Sequence, residues 1–245
     1  MPERRGPRPD RPAQSARHRP ADAGALALDI AAELAALRPG TTAQARSVRR
    51  HFSRQLRDSP ARLVLSVAVQ LAKRGDTERF VAYELVGAHP TARRRLSAPV
   101  LRRLAYRLAS WGAVDCFACL LAGPAWRAGQ VPASLVHRWA RSPDRWWRRA
   151  ALVSTVPLNS RARGGGGDAP RTLRICRLLV SDRDDMVVKA MSWALRELAK
   201  RDPAAVRTFL AAHDGSLAPR VRREVLNKLR TGLKSGRPRA GRSSS

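Results

Sequence analysis

Acidic residues are scarce in this chain. Its 245 residues hold 19 Asp and Glu against 48 Lys and Arg, for a net charge of +29. A GC-rich genome inflates Arg and Ala but does not deplete acids to this extent. The balance calls for a polyanionic partner, and nucleic acid fits best, because clustered Arg displaces condensed counterions on binding. Long apolar runs are missing too. No segment approaches the roughly 20 apolar residues of a spanning helix, so a membrane partner is not expected, and the N-terminus lacks the apolar stretch of a signal peptide. Cysteine is sparse: Cys116, Cys119 and Cys176. That odd, low number excludes a disulfide scaffold and points to reduced thiols in a cytoplasm. Cys116 and Cys119 form a CxxC, but zinc takes about four ligands and neither a second CxxC nor a paired His is present. They read as core residues of an apolar helix, and no metal or other cofactor is expected.

What is present is helical period. Leu, Ala and Val recur at three- and four-residue steps with Arg between them, and no segment keeps period-two alternation. Ser59-Pro60, Ser142-Pro143 and Asp202-Pro203 read as helix starts; Gly75, Gly123 and Gly215 read as stops. The pattern predicts helices near 24–37, 42–57, 60–73, 77–88, 98–110, 112–122, 131–141, 143–156, 169–180, 184–200, 203–212 and 218–232. A dozen short helices with brief loops predict an all-α solenoid of stacked antiparallel pairs. Their spacing falls in the range of HEAT-type repeats. The expected organisation is a disordered basic arm over 1–23, a HEAT-like superhelical domain with a concave basic face over 24–234, and a basic tail over 235–245. The loop from Asn159 to Asp168, with four consecutive glycines, lacks the Lys-Ser/Thr pair of a P-loop. It reads as a flexible connection or a basic flap.

Tryptophan next to charge is the most informative feature. Trp111 and Asp115 lie four apart and share a helix face. Asp115 is an acid among apolar neighbours, which suits a reactive carboxylate, a helix cap, or a buried ion pair with an arginine. Arg148 and Arg149 follow paired tryptophans in Asp144-Arg145-Trp146-Trp147-Arg148-Arg149, and Arg forks bind phosphate bidentately. One tryptophan should pack inward while one arginine faces the partner; the plainer alternative is a core tryptophan with solvated arginines. Lys189, Trp193 and Arg196 stand at i, i+4 and i+7 of one helix, again on a common face. Together these segments suit chemistry on an alkylated base, where positive charge develops on a sugar held beside phosphates.

The stretch from about Arg49 to Leu229 resembles the AlkD-like DNA alkylation repair family, DNA glycosylases of bacteria built from HEAT-like repeats. The resemblance lies in Trp111-x-x-x-Asp115, in Ser142-x-x-x-Trp146-x-x-Arg149-Ala150-Ala151, and in Lys189-Ala190-x-x-Trp193-x-Leu195-Arg196-Glu197 followed by Asp202-Pro203-x-x-Val206. It implies that Trp111, Asp115 and Trp193 line the lesion site and that Arg149 and Arg196 meet the DNA backbone; Arg148 and Lys189, from the reading of the same helices, are expected to bind DNA as well. It also implies action on double-stranded DNA that contains cationic N3- or N7-alkylated purines; the protein is expected to be a monomer in the cytoplasm, at the nucleoid. Departures are Asp185 and Met186, where family members often carry aromatics, Pro157 in place of a basic residue, the glycine run, and the long basic arm.

The residues suit that chemistry in their own right. An N3- or N7-alkylated purine is already cationic and leaves neutral, so no general acid is needed. The difficult species is the sugar oxocarbenium ion, which a carboxylate can stabilise while orienting water. No catalytic Lys is required, so the expectation is a monofunctional glycosylase that leaves an abasic site. The alternatives are a non-enzymatic HEAT-repeat protein that binds damaged or branched DNA and, further off, an RNA-binding or scaffolding solenoid. A pure binder needs the arginines but not Asp115.

Overall fold

The computed structural model describes residues 22–37 and 39–235. The arm expected over 1–23 and the tail over 235–245 therefore lie almost wholly outside the described residues. Within them the chain is helix and turn, with no strand. The elements are α1 (Ala23–Ala36), α2 (Thr42–Gln55), α3 (Ala61–Leu71), α4 (Asp76–Ala88), α5 (Pro90–Arg94), α6 (Ala98–Leu104), α7 (Trp111–Phe117), a π-helical turn (Ala118–Ala122) and α8 (Gly123–Arg127). There follow α9 (Ala133–Ala140), α10 (Arg145–Val153), α11 (Val156–Asn159), a 3₁₀ turn (Arg161–Arg163), α12 (Ala169–Leu178), α13 (Asp185–Leu198), α14 (Pro203–Ala212) and α15 (Pro219–Thr231).

Most helix starts follow capping chemistry. Thr41 and Gln44 form a reciprocal capping box at α2, and Asp202 caps α14 ahead of Pro203 by accepting from the Ala205 amide. Ser142-Pro143 is not a start. Asp144, two residues on, caps α10 by accepting from the Trp146 amide at 2.8 Å. Other expected boundaries also move. The helix expected over 98–110 ends at Leu104, and a turn containing Arg107 at φ 46° leads to α7. The helix expected over 143–156 breaks after Val153 and resumes as α11. Gly123, expected as a stop, lies inside continuous helix. A Cβ there would sit 2.6 Å from the Ser154 carbonyl oxygen and 2.8 Å from Pro157 Cγ. It is a glycine because α8 and the α10–α11 junction approach closely.

The packing is that of a solenoid: helices meet their neighbours in the stack and little else. One layer runs α2, α4, α7, α10, α13, α15, each packed on the next. The other carries α1 on α3, α3 on α5 and α6, and α9 on α12. A continuous apolar core lies between the layers, including Ile30, Leu71, Tyr83, Phe117, Leu152 and Ile175. Phe117, Trp139 and Trp147 form an aromatic cluster at its centre, with centroids 5.1–6.3 Å apart. Trp147 is thus the inward member of the tryptophan pair, while Trp146 lies under the Arg145 guanidinium at 4.9 Å. Cys119 and Cys176 are buried, and burial pushes both thiols up to about 12.

The glycine run is not a flexible loop. Arg127 donates to the carbonyls of Pro157 and Arg163, both at 2.7 Å. Arg201 donates to those of Asn159 and Gly165, both at 2.8 Å. Buried Asn159 donates to Thr155 and Thr172 and accepts from the Asp168 amide. Gly165 is buried and lies against the backbone of Pro157 and Leu158. Two arginines therefore spend their donors on backbone carbonyls and hold the segment closed.

Candidate functional site

All seven residues singled out in the sequence fall on one layer of the stack: Trp111 and Asp115 on α7, Arg148 and Arg149 on α10, and Lys189, Trp193 and Arg196 on α13. These are three consecutive rungs.

Asp115 and Arg149 are joined directly. Arg149 Nε donates to Asp115 Oδ1 at 2.9 Å and Nη2 to Oδ2 at 2.8 Å. Its Nη1 donates to the Met186 carbonyl at 2.6 Å. One guanidinium thus ties α7, α10 and the first turn of α13 together. The arginine side chain is 6% exposed and the carboxylate 17%, so the pair is shielded while its acid keeps a path to solvent. Burial pushes the Asp115 carboxyl above the ordinary aspartate range; the hydrogen bonds and charge of Arg149, and the charge of Arg163, push it back. The paired bonds require donors facing both oxygens, so the carboxylate is ionised in this arrangement.

Trp111 lies in the first turn of α7 and is 63% exposed, the most exposed of the large hydrophobic side chains among the described residues. A network places it there. Ser110 caps α7, accepting from the Ala113 amide at 3.2 Å and donating to Asp76 Oδ2 at 2.8 Å. Asp76 Oδ1 accepts from Arg79 at 2.6 Å, and Arg79 also donates to the Tyr106 carbonyl. The start of α7 is so pinned to α4. Beside it a cavity of about 300 Å³ opens between α2, α4 and α7, lined by Thr41, Asp76, Phe80, Gly112 and Cys116 among others.

On α13, Lys189 is exposed and Trp193 and Arg196 are half-buried, while Val187, Val188, Ala190, Met191, Ala194 and Leu195 are buried. The expected common face is there. Trp193 stands seven residues, about 10 Å, along the helix from Met186, whose carbonyl Arg149 holds. Arg196 donates to Ser192, which donates to Glu224 of α15 at 2.6 Å. Lys189 pairs with Asp185 at 2.6 Å on the surface. Arg148 is turned elsewhere. It donates to Asp182 at 2.7 Å and to the carbonyls of Ser142 and Pro143, holding α10 to the α12–α13 turn.

Sequence reading passed over Asp76, Arg79 and Glu224, which position the site without belonging to it. Ser110 ahead of an apolar helix was a usable capping signal. The partners 34 and 32 residues away were not, because nothing local marks a long-range hydrogen bond.

The architecture defines a class, the helical-repeat solenoids, here with a shielded ionised carboxylate, an exposed tryptophan one turn away and basic residues along one layer of the stack. Within that class the chain belongs to the DNA alkylation repair enzyme family, whose profile matches residues 39–229. No curated protein gives a significant match to the chain. Among the described residues no helix is long and apolar enough to cross a membrane.

Proposed function

We propose that this repair enzyme is a monofunctional DNA glycosylase. It hydrolyses the N-glycosidic bond of cationic N3- or N7-alkylated purines in duplex DNA and leaves an abasic site. The observation that carries the reading is the ionised Asp115 beside the exposed face of Trp111. The base departs with the bonding electron pair and becomes neutral. The sugar is left as an oxocarbenium ion, which the Asp115 carboxylate stabilises. Water then bonds to C1′ and gives up a proton. The ring faces of Trp111 and Trp193 attract the cation at about 0.5–2 kcal/mol each once water is displaced. Arg149 holds the carboxylate charged and aimed. Arg196 and Lys189 border the DNA, and a backbone contact by Arg149 rests on the family resemblance; Arg148, whose donors go to Asp182 and the Ser142 and Pro143 carbonyls, is placed beside it by its position on α10 alone.

One observation favours the alternative of a non-enzymatic DNA binder. Arg149 occupies both oxygens of Asp115, the pattern of an ordinary structural ion pair. The two readings separate in one assay, release of 7-methylguanine and 3-methyladenine from alkylated duplex under single-turnover conditions. The parent is expected to release base, and Asp115→Asn to be slower by on the order of 10²–10³ with duplex affinity retained. Equal rates for the two proteins would remove the carboxylate from the chemistry.

A further inference from the structure

An inner rung of a repeat stack has neighbours on both flanks. The first and last helices have them on one side only, and a polar outer flank ordinarily finishes such an end. Here both ends expose leucine. Of the five large hydrophobic side chains exposed among the described residues, Leu28 lies on α1, Leu226 on α15 and Leu233 just after it.

The two ends differ in charge. At the first, α1 buries Leu26, Ala27, Ile30 and Leu34 and packs on α2, α3 and α4. Its other side exposes Ala25, Leu28, Asp29, Ala32, Glu33 and Ala36. The helix holds two acids and no base, in a chain where basic residues outnumber acidic ones 48 to 19. At the last, α15 buries Val221 and Val225 and meets α13 through Arg220, which donates to Asp185, and Glu224, which accepts from Ser192. Arg222, Arg223, Leu226 and Arg230 stand at i, i+1, i+4 and i+8 on another side of α15, and all four are exposed. A groove of about 980 Å³ runs along them, with Leu217 and Pro219 in its wall. Arg222 pairs with Asp214, and Lys234 stands 4.0 Å from Glu224. Arg223 and Arg230 have no acidic partner among the described residues.

We propose that these ends fit each other: α1 of one copy of this chain seats in the α15 groove of the next, with Leu28 against Leu226 and with Asp29 and Glu33 opposite Arg223 and Arg230. The helices match in length, at 14 and 13 residues, and α1 takes the place of one more rung. Charge selects this pairing over the others. Two α15 ends would set arginine against arginine, and two α1 ends acid against acid. Duplex DNA gains nothing from Leu226 and is repelled by α1. Residues 236–245 hold three arginines and no leucine, valine or aromatic residue, so they suit the groove poorly. A head-to-tail contact leaves a free end on each copy, so it builds an open chain and does not close a symmetric dimer. Two helix flanks make a small interface, and the association is weak. It involves neither Trp111 nor Asp115 and stands or falls independently of base excision.

Sedimentation of the full chain without DNA tests this, in about 0.15 M salt, where a Debye length of about 8 Å screens the repulsion between whole copies. The average mass should rise above that of a monomer as concentration increases through the micromolar range. Asp29→Lys/Glu33→Lys and Arg223→Glu/Arg230→Glu should each weaken association about tenfold or more. Melting temperatures should not change, because all four side chains are exposed. An equimolar mixture of the two variants should restore association, since each reversed end finds its complement on the other protein. Leu28→Gln and Leu226→Gln form a second pair that leaves the charges in place. Neither should associate alone, and their mixture should stop at dimers, because each keeps one working end. A chain monomeric at every concentration overturns the proposal, and that is the outcome if the arginine-rich stretch 1–21 covers α1 of its own copy. Association that survives either charge reversal, as a symmetric contact between α15 ends would survive the α1 reversal, overturns it too. So does a charge-reversed mixture that fails to associate.

Discussion

At the scale of single residues, the Asp115–Arg149 pair sets what can be measured. Burial raises the Asp115 carboxyl above its ordinary value of 3.8, with Arg149 opposing. The sign for stability follows. A carboxyl raised on folding favours the native state in its protonated form. That contribution is complete below pH 3.8 and is lost as pH rises through the folded value. On the proposed mechanism activity runs the opposite way, because the carboxylate acts in its ionised form. Base release should fall as pH falls, with its acid limb above pH 3.8. Arg149→Ala removes the opposing interaction, so the limb should move to higher pH. Stability should drop by about 3 kcal/mol, since an acid shielded for a partner is left without one. A pH–rate profile and urea melts of both proteins check this; an unmoved limb means the guanidinium does not tune the acid. The sequence showed an acid in apolar company and offered an arginine as its partner. It did not say which arginine, because Arg149 lies 34 residues away and its donors do not advertise where they point.

At the scale of elements, helical period placed the helices and missed their interruptions. The π-helical turn after α7, the left-handed Arg107 and the break after Val153 are set by how neighbouring rungs seat against each other, which a local pattern does not contain. The glycine run shows this most clearly. Four glycines suggest slack, yet here they let a connection lie flat. A Cβ at Gly165 would come within 2.6 Å of the Leu158 carbonyl carbon and oxygen and would also meet the Pro157 oxygen. Gly165→Ala should therefore destabilise the protein by about 1–3 kcal/mol, whereas Gly166→Ala, which meets nothing within 4 Å, should be close to neutral. Thermal melts of the two variants decide it, and equal melting temperatures would mean that the segment is loose.

At the scale of the whole molecule, charge dominates. A net +29 over the whole chain predicts binding governed by counterion release. Affinity for undamaged duplex should fall by about 10³ or more between 50 and 200 mM salt if six or more phosphates are engaged. It should vary little with sequence, since phosphates carry none. Fluorescence anisotropy across a salt series reads the slope, and a flat series would disprove electrostatic binding. The solenoid itself was legible, because a repeat fold is written in helix spacing and each rung answers mainly to its neighbours. That same arrangement has a mechanical side. A stack of this kind flexes like a coil spring, by small rotations shared among its joints. The guanidinium of Arg149 works as a rivet through α7, α10 and the first turn of α13, so the joints it crosses give least. Bending should then concentrate in the rungs on either side of that joint, which would make the middle of the stack its stiffest part.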